Sequence, residues 1–317
     1  MRVLRGRAGV RPEQLGAPVA ATIGVFDGVH RGHQRVLQEL VSWAHEDGGD
    51  AVVVTFDRHP REVLTGEKPV ALASLEHRLV LLARAGVDVV LLLPFDESTA
   101  QTSAESFVEE VLVGALGAKK ILLGANHRFG HERRGDLALL LRLGKRLGFE
   151  AREVPLEPAD EGKVVSSTAI REAIRDGRLD DAERMLGRPV TVLGTVVKGD
   201  ARGRLLGFPT ANLDLQHEAR PPRGVYAALV SVDDAGRWLA VVNVGRRPTF
   251  HPEADEDLVE AHLLDYAGDL YGKRLEVSFL AKLRDEQKFP GPDALVAQIR
   301  ADIAQTRARF GGLVGSS

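Results

Sequence analysis

The pattern of apolar residues changes character once along the chain, and that change bounds the fold. Before Gly187-Arg188-Pro189, continuous apolar runs alternate with stretches of helical period. The runs 19–26, 51–56, 87–93 and 120–123 are rich in Val, Ile and Leu, and a shorter one covers 150–154. Between them, 34–46, 75–85, 103–116 and 137–147 space their apolar residues as helices do, as at Val36, Leu37, Leu40, Val41 and Ala44. Strands without polar alternation, separated by helices, predict a parallel sheet covered on both faces. Two short helices, 168–176 and 179–186, close on Gly177 and Gly187. Beyond them come short strands at 190–197, 225–232, 238–244, 258–264 and 275–280, punctuated by Gly, Pro, Asp and Asn. That predicts an antiparallel barrel or sandwich. A final helix over 293–310 puts Leu295, Ile299, Ile303 and Phe310 on roughly one face. The expectation is two domains, 1–187 and 188–317. The length of 317 residues agrees, at about twice a typical single domain of roughly 150.

Composition narrows the function classes. Lys and Arg number 42 against 45 Asp and Glu, a net charge of −3. Neither nucleic acid nor a membrane surface is the expected partner of so balanced a chain. The absence of cysteine removes disulfides, thiolate zinc sites and thiol nucleophiles, and fits a reducing cytoplasm. The longest apolar stretch, 89–95, is too short to span a bilayer. The opening MRVLRGRAGV has basic residues but no apolar segment after them, so no signal peptide is expected.

Three motifs sit where strands of the first half end. Gly24-Val25-Phe26-Asp27-Gly28-Val29-His30-Arg31-Gly32-His33 follows the first strand and opens the first helix. Histidines three apart at a helix start share a face, and that end of a helix offers free N–H groups and a positive dipole. Phosphate is the expected ligand, with Gly28 and Gly32 allowing a nucleotide near the backbone. A plain glycine turn with two surface histidines also satisfies the pattern. Thr55-Phe56-Asp57-Arg58-His59-Pro60 and Gly124-Ala125-Asn126-His127-Arg128-Phe129-Gly130 follow the second and fourth strands. In open α/β sheets ligands bind beyond such strand ends. Val165-Ser166-Ser167-Thr168-Ala169-Ile170-Arg171 opens another helix. Its Ser and Thr suit an N-cap, while Arg171, one turn in, could grip phosphate. No GxxxxGK[ST], GxGxxG, HExxH or GxSxG is present.

The second half carries Gly194 to Asn212, GTVVKGDARGRLLGFPTAN. Gly199, Gly203 and Gly207 suit a loop whose amides cradle phosphate. Thr210 and Asn212, two apart, point the same way in an extended segment and offer two neutral oxygens to Mg²⁺. A turn-rich barrel corner is the competing reading. Asn243-Val244-Gly245-Arg246-Arg247-Pro248-Thr249-Phe250 is a second such turn. In 258–265, Glu260 and His262 occupy the face opposite Val259, Ala261 and Leu263, and Glu260 reads on spacing alone as solvent-facing.

Taken in order, GVFDGVHRGH, TFDRHP, GANHRFG, SSTAIR, LGRP, GRLLGFPTAN, GVYA, NVGRRPTF, EAHLLDY and LYGKRLEVSFLAKLRDEQKF span nearly the whole chain. This set resembles the bacterial bifunctional riboflavin kinase/FMN adenylyltransferases. The resemblance implies a Rossmann-like α/β nucleotidyltransferase domain followed by a riboflavin-kinase β-barrel. It implies phosphorylation of riboflavin to FMN, then adenylylation of FMN to FAD, with ATP serving both steps and Mg²⁺ accompanying it. In the first domain Phe26, Gly28, His30, His33, Asn126, Ser166, Ser167 and Arg171 would hold ATP, and His59, Arg128 and Phe129 the flavin. In the second, Gly194, Lys198, Gly199, Gly203, Pro209, Thr210 and Asn212 would hold ATP, with Thr210 and Asn212 on the metal and Glu260 as general base. His127 stands where an aromatic is frequent, Arg58 where Pro is, and Ser103-Ala104-Glu105 lacks a Pro often found there. These departures bear on FMN binding and leave two rival readings. One is a kinase with a weakened adenylyltransferase site. The other is a non-catalytic flavin sensor, which would have no need of His30, His33 and Glu260 together.

Overall fold

The computed structural model describes residues 1–155, 165–199, 202–216, 218–233, 235–246 and 257–314. They form two compact units: Met1–Ala71 with Leu75–Ser167, and Thr168–Ser317 with the short segment Leu72–Ser74.

The first unit is built on six parallel strands: β1 (Arg2–Arg5), β2 (Ala20–Ile23), β3 (Ala51–Phe56), β4 (Val89–Leu93), β5 (Lys120–Gly124) and β6 (Glu150–Val154). Their order across the sheet is β1-β4-β3-β2-β5-β6. Every residue of β2, β3 and β4 is buried, which is why their sequences do not alternate. The helix Arg31–His45 packs Val36, Leu37, Leu40, Trp43 and Ala44 onto the core. Leu37 and Leu40 have no exposed surface, so truncating either to Ala would cost about 2–5 kcal/mol. Two differences from the sequence expectation stand out. β1 is an added edge strand, mostly exposed, whose RVLR sequence carries no run of apolar residues. The helix expected over 103–116 has one α-helical turn, Ala104–Phe107, and then continues as a π-helix over Val108–Ala115.

The second unit is a closed barrel of β7 (Val190–Val197), β8 (Ala211–Leu215), β9 (Gly224–Val232), β10 (Gly236–Arg246), β11 (Asp257–Leu263) and β12 (Arg274–Arg284). They close in the order β10-β11-β8-β7-β12-β9, all neighbours antiparallel. β8 lies hidden in the sequence behind the turn residues of GFPTAN. Helices Ser167–Arg175 and Leu179–Leu186 precede the barrel and bury Ile170, Ala173, Ile174, Ala182 and Leu186.

Two buried acids organise this unit. Glu218 has no exposed surface, and its carboxylate accepts backbone N–H bonds from Ser74 (2.8 Å) and Leu193 on β7 (2.9 Å). That places Leu72–Ser74 with the barrel. Asp302, on the C-terminal helix Pro292–Phe310, accepts from Arg284 Nε and Nη2 of β12 at 3.1 and 2.9 Å, and from Gln298. The expected apolar stripe of that helix is only half-buried, while Asp302 and Thr306 are its buried residues. A forked ion pair thus fastens the helix to the end of β12. Among the described residues no helix is long and apolar enough to cross a membrane.

Candidate active sites

The strand order places the sheet's reversal between β2 and β5. From β2 the chain moves through β3 and β4 one way, and through β5 and β6 the other. Ligands of open α/β sheets sit beyond the carboxyl ends of the strands at such a point. The GVFDGVHRGH segment leaves β2 there and GANHRFG leaves β5, with TFDRHP next door on β3.

The β2 exit is strained. Phe26 and Val29 have φ of 52° and 40°, in the left-handed region that β-branched and bulky residues avoid. The strain aims the next residues. His30 N-caps the helix Arg31–His45, its Nδ1 accepting the His33 N–H at 3.4 Å. A neutral His30 so engaged carries its proton on Nε2. The His30 and His33 rings stack, centroids 3.6 Å apart and 17° from parallel, and Phe26 packs on His33 at 5.1 Å. His33 Nδ1 is sealed from solvent with no hydrogen-bond partner among the described residues. Burial, then the charges of His30 and His127, hold His33 well below the ordinary histidine pKa. Burial, with Arg133 and Arg128, pushes His127 down to about 4. His33 and His127 are therefore neutral imidazoles at ordinary pH, beside a helix start whose N–H groups and dipole favour an anion.

The other expected residues of this unit divide. Asn126, with φ of 60°, is exposed at the end of β5, next to His127. Ser167 Oγ donates to the Asp27 carbonyl, in the GVFDG turn, at 3.3 Å. Ser166 and Arg171 flank that start and are half-buried. His59 caps the helix Pro60–Thr65, Nδ1 accepting the Arg61 N–H at 3.2 Å. Arg128 is exposed and bonds the His127 carbonyl. Phe129 does not join the rim: it is 5% exposed and packs on Phe107 in the core.

Sequence reasoning missed Arg78. This buried arginine, on the helix Leu75–Arg84, donates to the Val25 carbonyl (2.9 Å) and the Phe56 carbonyl (2.5 Å). It thus ties together the exits of β2 and β3. Burial lowers its pKa while Asp27 and Asp57 oppose the shift. The signal was present: position 78 falls on the helix face that Leu81 and Leu82 bury.

In the barrel, register makes the site. Val259 pairs with Leu213 and Ala261 with Ala211, all buried, and between them Glu260 pairs with Asn212. Glu260 therefore shares a sheet face with Asn212, with Cβ atoms about 5 Å apart. On its other side Glu260 pairs with Asn243. The glycine loop lies over this row. A Cβ on Gly199 would fall 2.1 Å from Asn212 Nδ2, and one on Gly203 would fall 2.4 Å from the Phe208 carbonyl and 3.3 Å from Thr210 Oγ1. Lys198, Gly199, Pro209 and Thr210 are exposed. Gly194 is set apart from them: it is buried inside β7, paired with Leu215. The stretch 247–256, with the end of the NVGRRPTF turn, lies outside the described residues, as do 200 and 201.

This donor set fits magnesium carried by a nucleotide. Two neutral oxygens, Thr210 Oγ1 and Asn212 Oδ1, face a loop whose glycines leave no room for side chains. Mg²⁺ commonly takes few protein ligands and completes its shell with phosphate and water. Among the described residues no group of three or more His, Asp or Glu could hold a metal without such help.

An α/β unit with paired histidines at its switch point, joined in one chain to a barrel with a Glu–Asn row under a glycine loop, defines a class: enzymes that handle nucleotide phosphates at two separate places. Comparison with known proteins names the family. A family model for FAD synthetase matches residues 13–169, and one for riboflavin kinase matches 186–310. The bifunctional riboflavin kinase/FMN adenylyltransferase of Pseudomonas fluorescens is 43% identical over 97% of each chain. Those of Escherichia coli K12 and Listeria monocytogenes are 40% and 36% identical over 92% of each. A crystal structure of a macrolide-efflux protein from Streptococcus pneumoniae shares the fold, with a TM-score of 0.80 and 32% identity over 97% of this chain and 99% of that one. The chain belongs to the bifunctional riboflavin kinase/FMN adenylyltransferase family, and it is an enzyme with both activities.

Proposed function

We propose that residues 1–187 carry out FMN adenylylation and residues 188–317 riboflavin phosphorylation, with Mg²⁺ accompanying ATP at both and the cytoplasm as the setting. The observation that supports this division best is the pair of unlike phosphate-binding constructions, each complete in chemical type within its own stretch of chain.

In the first, an FMN phosphate oxygen attacks the α-phosphorus of ATP. A P–O bond forms there as the bond to the β-phosphate oxygen breaks, giving FAD and pyrophosphate. FMN brings its own nucleophilic oxygen, so the protein has only to align and stabilise. His30 Nε2–H and the His33 ring donate to the phosphates that leave as pyrophosphate. Phe26 and Gly28 shape the turn that aims them. Asn126, Ser166, Ser167 and Arg171 are assigned to the ATP of this step, and His59 and Arg128 to the flavin. Phe129 acts from the core, by holding the segment that carries Arg128.

In the second, the ribityl 5′-hydroxyl of riboflavin attacks the γ-phosphorus of ATP. A neutral alcohol is a weak nucleophile, so Glu260 takes its proton as the new P–O bond forms and the bond from the γ-phosphorus to the β-phosphate oxygen breaks, giving FMN and ADP. Thr210 and Asn212 would hold the metal, which would offset the charge on the phosphates. The amides of Gly199 and Gly203 approach the phosphate chain, Lys198 adds charge at the loop's start, and Pro209 fixes the entry to β8. Gly194 contributes the close β7–β8 packing that supports the loop.

Incubating the protein with riboflavin, ATP and Mg²⁺, then resolving FMN and FAD by chromatography, tests the whole reading. Sequential appearance of FMN and then FAD is expected. FMN alone would mean that the adenylyltransferase site is dead, and neither product would leave only a binding protein.

A further inference from the structure

His262 belongs to no assigned role, yet it touches the one segment on which the kinase site depends. The β8–β11 ladder ends at the pair Ala211 and Ala261. The next pair in that register would be Thr210 with His262, and beyond it Pro209 has no N–H to give to a continued ladder. Thr210, the residue proposed to face the metal, therefore stands just past the last backbone pair. At this point a side chain takes over. His262 lies on the same strand face as Glu260, and its Nδ1 meets the Pro209 carbonyl at 2.8 Å. A carbonyl oxygen only accepts, so His262 Nδ1–H is the donor. The edge of the Phe208 ring packs against the imidazole, centroids 5.7 Å apart and 84° from parallel.

The same stretch supports the glycine loop. The Phe208 N–H donates to the Gly203 carbonyl at 2.8 Å, and the Leu206 N–H to the same oxygen at 3.1 Å. Phe208 and Pro209 thus carry the loop on one side and Thr210 on the other, and His262 grips both residues.

We propose that His262 is a positioning residue for the kinase: its Nδ1–H holds the Pro209 carbonyl beyond the end of the ladder, and so fixes Thr210 and the Gly203–Phe208 loop against Mg-ATP. This rests on the assignment of Thr210 and Asn212 to that ligand. His262 does not touch the reacting atoms and moves no proton in the reaction.

The geometry dictates which replacement can work. The Asn side-chain amide places an N–H close to where imidazole Nδ1 stands, whereas that of Gln reaches nearer to Nε2. In the full chain, His262→Ala and His262→Gln are expected to raise the KM for Mg-ATP in riboflavin phosphorylation roughly 3- to 10-fold, as expected for one lost hydrogen bond. His262→Asn should recover most of that loss. The KM for riboflavin should stay within about twofold, as should FAD formation from supplied FMN. A second readout needs neither ligand nor turnover: amide hydrogen exchange of Leu206 and Phe208 should quicken in the Ala and Gln variants and return towards normal in the Asn variant. Unchanged KM and unchanged exchange in His262→Ala would overturn the proposal. So would equal failure of Asn and Gln, which would reduce His262 to packing. Thr210→Ala and Asn212→Ala separate the two levels. If they leave Mg-ATP use intact, the site assignment itself is wrong; if they impair it while His262→Ala does not, only the positioning role falls.

Discussion

The two candidate phosphate sites, one proposed for each unit, are built by opposite structural means. In the α/β unit the site is local in sequence. A few residues after β2 adopt an unfavourable backbone, cap a helix and present two stacked imidazoles. In the barrel the site is assembled by register: Asn212, Glu260 and Asn243 come from three strands and meet only because β8, β11 and β10 pair as they do. A site made by local strain tolerates change elsewhere but not within its turn. A site made by register depends on pairs far apart in the chain and on whatever pins the strand ends.

The largest expected effect tests the barrel. Glu260→Gln keeps the shape and one carbonyl oxygen but cannot take a proton, so kinase turnover should fall roughly 10²- to 10⁴-fold. FAD formation from supplied FMN should be untouched. Near-normal kinase turnover would return Glu260 to an ordinary strand position. Next comes the α/β unit. His30→Ala or His33→Ala removes a preorganised donor, and FAD formation should fall roughly 10²- to 10³-fold while riboflavin is still phosphorylated. Parallel loss of both activities would point to a fold defect instead. Gly199→Ala then sharpens the contrast, since its Cβ would collide with the Asn212 amide. Mg-ATP use by the kinase should weaken on the order of tenfold or more, the equivalent of more than one hydrogen bond.

The smallest effect is on stability against pH. His33 and His127 have folded pKa values below the ordinary value of 6.5, that of His127 at about 4. Between those limits the unfolded chain binds more protons, so the stabilisation present above 6.5 is lost as pH falls through about 4. Thermal unfolding of the α/β unit should show that acid-side decline, and His127→Phe should flatten it. An unchanged slope in His127→Phe would mean that this imidazole is open to water in the folded state.

The same contrast explains what the sequence reveals. Apolar runs and helical periods announce β2 to β5 and their helices because parallel strands buried on both faces leave no alternation. The histidine pair is legible because its geometry is carried by a spacing of three. β1 is not, being an exposed edge strand, and β8 hides behind turn residues. Glu218 and Arg78 go unseen because charged side chains read as surface until their backbone partners are known. Phe129 illustrates the reverse, a motif aromatic that the fold keeps in the core. Glu260 is the sharpest case: spacing alone makes it a solvent-facing strand residue, the resemblance makes it a candidate base, and the register sets it beside Asn212.

The proposed division of labour gives each activity its own site on the chain, able to work when the other is disabled. Mixing two disabled proteins tests it most directly. Glu260→Gln alone, given riboflavin, ATP and Mg²⁺, should form FMN and FAD only at its residual rate. His33→Ala alone should accumulate FMN with little FAD. Together they should convert riboflavin to FAD, because FMN released by one is adenylylated by the other. If the mixture makes no more FAD than the separate proteins, while the Glu260→Gln protein fails to use supplied FMN, the division of labour is wrong.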